Sequence, residues 1–228
     1  MSTVTPESVA AQAATPPKAS FISLEGIEGS GKSTLMRALT VLLQQRGLNV
    51  VATREPGGTP LAEQLRATLL ARGAEAIDPI AETLLMFAAR SVHVSNLIRP
   101  ALRSGHWVLC DRFTDATRAY QGSGRGVDRA LIEQLASSVH ADLWPRRTLL
   151  LDVPAAVGCA RARSRGGAAD RFDAEGERFF ERVRRGYLEL AAAEPERMRL
   201  IDASGSPEQV QQQALAALSD LLPAAART

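Results

Sequence analysis

Short, nearly uninterrupted apolar runs alternate along this chain with longer stretches of helical period. Five runs read as strands, at residues 21–25, 49–53, 106–110, 147–153 and 197–202. Their apolar character is continuous rather than alternating, the pattern of strands covered on both faces. Between them, Leu35, Leu39, Leu42 and Leu43 share a helix face, and Gly47 stands where a C-terminal stop belongs. Thr59-Pro60 and Asp78-Pro79 each offer a cap followed by proline at the first helical position. The second opens a long helix over 79–103, bent near Pro100. Further helices are predicted over 128–140 and 174–193, and Ser206 to Gln209 forms a capping box for the last. This alternation predicts an α/β fold, a parallel sheet with helices on both faces.

The turn after the first strand changes the picture from architecture to chemistry. Gly26-Ile27-Glu28-Gly29-Ser30-Gly31-Lys32-Ser33-Thr34 contains G-x-x-x-x-G-K-[ST]. Glycines let successive amides point inward at phosphate oxygens. Lys32 reaches the outer phosphates, Ser33 serves magnesium, and the following helix lends its positive end. A strand before it and an amphipathic helix after it complete the context of a P-loop NTPase that binds a nucleoside triphosphate.

Composition narrows the setting. The chain has 228 residues, 45% of them hydrophobic, and a net charge of +2 from 27 basic and 25 acidic residues. That balance is too even for a general nucleic-acid or membrane-surface binder. Cys110 and Cys159 lack metal-ligand spacing and fit a reducing cytoplasm. Residues 1–19, rich in Ala, Thr, Ser and Pro, read as a disordered tail without a signal peptide's apolar core. A single P-loop domain over 20–223 is expected to follow it.

Two strands end in aspartate, so Asp111 and Asp152 both compete for the magnesium side. Arg112 directly after Asp111 favours the former, because ligands of open α/β sheets bind at the C-terminal strand ends. Asp152 reads better as a strand-end residue of the following turn. No N-K-x-D stretch marks a guanine switch, and neither aspartate is followed by the glutamate common in motors. Instead arginines recur in "TREPGGT", "DRF" and "RARSRGGAADRF". Phosphoryl transfer needs several cations around the equatorial oxygens, and the last segment, about 161–173, has the glycines and arginines of a lid. A solvated helix face explains its arginine spacing equally well.

Taken in order, "LEGIEGSGKST", "TREPGGTPLAEQLR", "MFAAR", "CDRFTDATRAYQGSGRG", "RARSRGGAADRF" and "FFERVRRGYLELA" resemble bacterial thymidylate kinases. The resemblance implies a five-stranded sheet, ATP-dependent phosphorylation of dTMP to dTDP, magnesium held near Ser33 and Asp111, and a homodimer. It assigns Arg54, Glu55 and Pro56 to the dTMP pocket, often with a cis bond at the proline. Arg66 and Arg112 contact the acceptor phosphate, Arg90 and Thr117 with Gln121 the thymine, and Tyr120 the deoxyribose, with Glu28 near sugar and phosphate. A stacking aromatic belongs four residues before Arg90, where this chain has Met86; Phe87, one residue on, takes the role. No arginine lies between Gly26 and Lys32, so the chain resembles the class whose catalytic arginine comes from the lid. Arg163, Arg165 and Arg171 are the candidates, and Arg161 the partner of adenine. The rival readings are a kinase for another nucleoside monophosphate or a deoxynucleoside, and a nucleotide-binding switch without catalysis.

Overall fold

The computed structural model describes residues 19–71, 75–164, 171–172 and 175–223. Apart from residue 19, the expected N-terminal tail lies outside them. Five parallel strands form one sheet: β1 (Phe21–Glu25), β2 (Val50–Arg54), β3 (Trp107–Asp111), β4 (Arg147–Asp152) and β5 (Met198–Asp202), in the order β2-β3-β1-β4-β5. The apolar runs locate all five, within one or two residues at each end. Continuous burial holds for the inner strands β1, β3 and β4, whereas β2 and β5 are the edges and stay partly exposed.

Alternation within each strand sends neighbours to opposite layers. Ile22 and Leu24 join Leu35, Leu39 and Leu43 of α1 (Lys32–Gln45) and Leu109 on one side of the sheet. Phe21, Val108, Cys110 and Phe113 pack on the other side with Val94 and Ile98. Polar groups within the sheet are paired, as burial demands: Ser23 and Thr148 share a 2.8 Å hydrogen bond.

Capping follows the sequence in most places. Asp78 Oδ1 accepts from the amides of Ile80 and Ala81 at the start of α3 (Pro79–His93). Ser206 and Gln209 form the reciprocal box of α9 (Pro207–Ala217). Thr59 precedes α2 (Pro60–Leu70) without capping it, and its buried hydroxyl has no partner among the described residues.

The helix expected over 79–103 is not continuous. A wider π turn, Val94–Ile98, separates α3 from α4 (Arg99–Arg103). Pro100 has no N–H to offer the turn before it and its ring crowds that turn's carbonyl, so the chain adjusts upstream of the proline. A second π segment, Arg118–Gly124, follows α5 (Thr114–Thr117) and was not legible in the sequence. It lies against α8 (Glu177–Ala193) through glycines: a Cβ on Gly124 would stand 2.7 Å from Phe179, and one on Gly186 2.2 Å from Ser123. The remaining helices are α6 (Arg129–His140), capped by Asp128, and α7 (Ala155–Ser164). Among the described residues no helix is long and apolar enough to cross a membrane.

Candidate active site

In the strand order, β1 and β3 are neighbours whose following segments diverge, the crevice where open α/β sheets take ligands. The phosphate loop leaves β1 there. Gly26, Gly29 and Gly31 all have positive φ, a region open to glycine at little cost. Gly29 has a second reason to be glycine, since a Cβ would stand 2.0 Å from the Gly158 carbonyl of α7. Gly158 returns the constraint: its own Cβ would lie 2.6 Å from the Glu28 carbonyl. The loop is thus clasped from outside by a helix whose glycine gave no warning in the sequence.

Gly31 leaves the first turn of α1 without a side-chain cap, so its amides face outward at the positive helix end. Lys32 Nζ donates to the carbonyls of Gly26 (3.0 Å) and Ile27 (2.9 Å). Burial, reinforced by the charge of Arg112, lowers its ammonium to about 8. Ser33 and Thr34 are exposed beside it. On the outer flank, Ser30, Thr34, Arg161 and the turn after β5 line an open cleft of about 720 Å³. Arg161, the expected adenine partner, stands in its wall, with Nη1 donating to the Ala203 carbonyl at 2.9 Å.

Across the loop stands Arg112, with φ of 71°. For a residue with a Cβ this conformation costs roughly 1–3 kcal/mol, and a dense set of contacts imposes it. Its amide donates to Leu24 O. Nη1 donates to Gly26 O (3.0 Å) and the Tyr187 hydroxyl (3.3 Å), and Nη2 to Glu28 Oε1 (2.8 Å) and the Tyr120 hydroxyl (3.0 Å). Tyr120 also donates to Glu28 Oε2. Burial works to raise the Glu28 carboxyl, but Arg112 and Lys32 more than offset it and hold it below the usual range.

Beneath Arg112 lies Glu25, which the sequence reading passed over. It is fully buried and accepts from the Phe113 amide and the Tyr187 hydroxyl, both at 2.7 Å. Burial, together with the negative charge of Asp115, pushes its carboxyl up to about 8. An acidic residue closing an apolar strand was the signal available. Asp111 Oδ1, at the end of β3, is buried with no partner among the described residues. Asp152 is instead taken by a two-pronged ion pair with Arg184 (2.7 and 2.9 Å), in line with its non-catalytic reading.

A second cleft opens on the far side of Arg112. Glu28, Glu55, Pro56, Arg66, Arg90, Thr117, Tyr120 and Gln121 all line it. The Glu55–Pro56 peptide bond is cis. Arg90 is 2% exposed; its Nε donates to Glu55 Oε2 (2.6 Å) and its Nη2 to Phe113 O and Thr117 Oγ1 (both 3.1 Å). Nη1 remains without a partner among the described residues. Arg66 Nη1 donates to Pro56 O.

Four expectations are redirected. Met86, not Phe87, lines the cleft; Phe87 turns into a cluster with Val127, Ile132 and Ala136 and lies 4.8 Å from the Arg90 guanidinium. Adjacent helix positions differ by about 100°, enough to separate the two. Arg54 does not enter the cleft wall but binds both oxygens of Glu63 on α2, which also accepts from the Gly58 amide. Arg171 is held at the outer rim, with Nη2 2.5 Å from Glu82 Oε2 and Nε donating to Leu69 O. Gln121 lines the cleft with its amide already committed to Glu82 at 2.6 Å. Of the other lid arginines, Arg163 is exposed at the end of α7 and Arg165 lies outside the described residues. Phe172, unremarked in the sequence, lines the cleft beside Tyr120.

Two clefts meeting at a phosphate loop, with a half-buried arginine between them, suit two phosphorylated ligands placed end to end. That division belongs to a nucleotide kinase of the P-loop class. The thymidylate kinase family profile matches residues 24–214. The chain is 53% identical to the thymidylate kinase of Pseudomonas fluorescens (strain SBW25) over 203 residues, 89% of this chain and 94% of that one. To the thymidylate kinase of Alkalilimnicola ehrlichii it is 51% identical over 205 residues, 90% and 93% of the two chains. The crystal structure of thymidylate kinase from Ehrlichia chaffeensis superposes with a TM-score of 0.72 at 36% identity, covering 89% of this chain and 99% of that one. The chain belongs to the thymidylate kinase family.

Proposed function

We propose that this chain transfers the terminal phosphoryl of ATP to dTMP, giving ADP and dTDP. The observation that carries the acceptor assignment is Arg90. Three of its N–H groups are spent on Glu55, Phe113 and Thr117, and its buried Nη1 has no partner among the described residues. A buried donor left unpaired is costly, and a pyrimidine carbonyl supplies the acceptor it lacks. Tyr120, bridging Glu28 and Arg112, stands for the sugar and disfavours a 2′-hydroxyl.

Loop amides and Lys32 hold the ATP phosphates, and Arg112 orients the acceptor phosphate toward them. The orphaned Asp111 Oδ1 and the Ser33 hydroxyl are hard oxygen donors of the kind magnesium takes. When bound there, the ion neutralises phosphate charge. The further positive charge for transfer comes from the lid, through Arg163, Arg165 or Arg171. Enclosure by these cations strengthens their effect by excluding water.

An acceptor panel in an ADP-release assay tests the assignment, with dTMP expected to outpace dUMP, dCMP and GMP. A clear preference for any of the three would replace it. Alanine at Arg163, Arg165 and Arg171 in turn is expected to expose one position where kcat collapses while dTMP affinity holds. We also propose a cytoplasmic homodimer, supported by exposed Leu61 on α2 and Ile80 and Leu84 on α3. Light scattering at micromolar concentration reads its mass.

A further inference from the structure

The wall that presents Arg90 is held from behind by a residue that never reaches the cleft. His93 is the last residue of α3, one turn beyond Arg90, and is 0% exposed. Its Nδ1 lies 3.0 Å from Glu55 Oε1, and its Nε2 shares a 2.8 Å hydrogen bond with Thr53 Oγ1 on β2. Glu55 uses its other oxygen, Oε2, to hold Arg90 Nε at 2.6 Å. Four side chains thus form one line, Thr53–His93–Glu55–Arg90, from the sheet edge to the cleft.

The electrostatics agree with the geometry. Burial works to raise the Glu55 carboxyl, but Arg90 and the His93 hydrogen bond more than offset it and hold it below the usual range. An ionised Glu55 can only accept, so His93 Nδ1 carries the proton between them. The loop after the cis proline closes over this line. Gly58 has φ of 85°, and a Cβ there would stand 2.5 Å from Thr53 Oγ1 and 2.6 Å from His93 Nε2. His93 therefore joins the strand, the proline loop and the helix, the three segments whose relative placement sets where Arg90 Nη1 points.

We propose that His93 is a positioning residue for acceptor recognition, acting through Glu55 to fix the guanidinium plane of Arg90. The proposal rests on the dTMP reading. It differs from a packing role because only one ring nitrogen carries it. Asparagine places an amide near the Nδ1 position and keeps the donor to Glu55. Glutamine reaches the Nε2 position and keeps only Thr53. Leucine keeps the bulk and neither bond.

Steady-state kinetics with dTMP and ATP varied separately, alongside melting temperature, test this. His93→Leu is expected to raise KM for dTMP about tenfold or more, since small misplacements of positioning groups cost up to about 10²-fold. KM for ATP and kcat should stay within about threefold. His93→Asn should recover most of the loss and His93→Gln little of it. An unchanged KM for dTMP in His93→Leu overturns the proposal, as does an equal rise in both KM values. If His93→Leu does not fold, the Asn and Gln variants still decide: equal KM values for dTMP, or a lower one for Gln, refute the role of Nδ1. Wild-type enzyme that ignores dTMP but turns over another monophosphate refutes the acceptor reading alone. The same variants are then scored with that nucleotide.

Discussion

The phosphate loop is nine consecutive residues, Gly26 to Thr34, whereas the acceptor cleft draws side chains from the proline loop, α2, α3 and the π segment. In the loop, recognition comes from backbone amides and one lysine, held by glycines that accept positive φ. In the cleft it comes from side chains already bound to one another, Arg90 to Glu55 and Arg112 to Glu28. A backbone cradle fits any triphosphate, because every nucleotide offers the same oxygens. A preassembled side-chain wall fits few ligands, because each remaining donor has one direction. The comparison teaches that generality and selectivity in this molecule are built from different materials. Arg112 is the seam between them, bonded to the loop through Gly26 and to the cleft through Tyr120.

Breaking each side separately sharpens the contrast. Lys32→Met removes the cation proposed to hold the ATP phosphates and is expected to lower kcat about 10³-fold, on the scale of single electrostatic groups in transfer sites. dTMP binding, read by calorimetry, should change less than threefold. Arg90→Leu strikes the other side. It deletes the free Nη1 and leaves Glu55 buried beside His93, a loss of about 3–5 kcal/mol for a broken buried pair. The expected result is a fall of at least 10²-fold in kcat/KM for dTMP and a lower Tm, with KM for ATP preserved. Equal damage to both substrates would show the two halves to be one cooperative unit.

Smaller effects probe how the halves are supported. Gly158→Ala pushes a methyl to 2.6 Å from the Glu28 carbonyl, so the loop or α7 must shift. An increase of about tenfold in KM for ATP is expected from such a misplacement. Glu28 belongs to both sides, so a matching rise for dTMP would mean the shift passes through its side chain.

Glu25→Gln is the mildest change and depends on pH. The Glu25 carboxyl titrates at about 8 in the folded chain against 4.5 ordinarily, so the folded state binds the extra proton between those values. Its contribution to stability is full below pH 4.5 and is lost as pH rises through 8. Glutamine, neutral throughout, should match the wild type at pH 5. At pH 8 it should melt several degrees higher, the gain growing with pH between those two values. A gain independent of pH would assign it to packing instead.

Legibility in the sequence followed the same division. The loop, its flanking strand and helix, and the caps at Asp78 and Ser206 depend on neighbours within a few residues, and all were readable. Arg66, Arg90, Arg112, Thr117 and Tyr120 entered through resemblance to a family, and the fold gathers them into one cleft. Met86 and Phe87 differ by a single helix step, so which faces the cleft was set by the roll of α3 against α6. Arg54 and Arg171 each found a carboxylate closer than the cleft, in Glu63 and Glu82. The π segment around Tyr120 was invisible, because its widened turn answers to α8 pressing on Gly124 and to Ser123 filling the space beside Gly186.

By itself, then, the chain's order of residues determined the parallel sheet, the phosphate cradle and the lack of an arginine inside it. Each of these follows from local backbone preference or from the simple presence of a side chain. Only the tertiary structure decided that Glu25 is buried under Arg112, that Gly158 clasps the loop, and that His93 backs Glu55. Those pairings join residues 38 to 130 positions apart, and their energies depend on burial and direction. Burial and direction exist only once the sheet and its helices have closed around them.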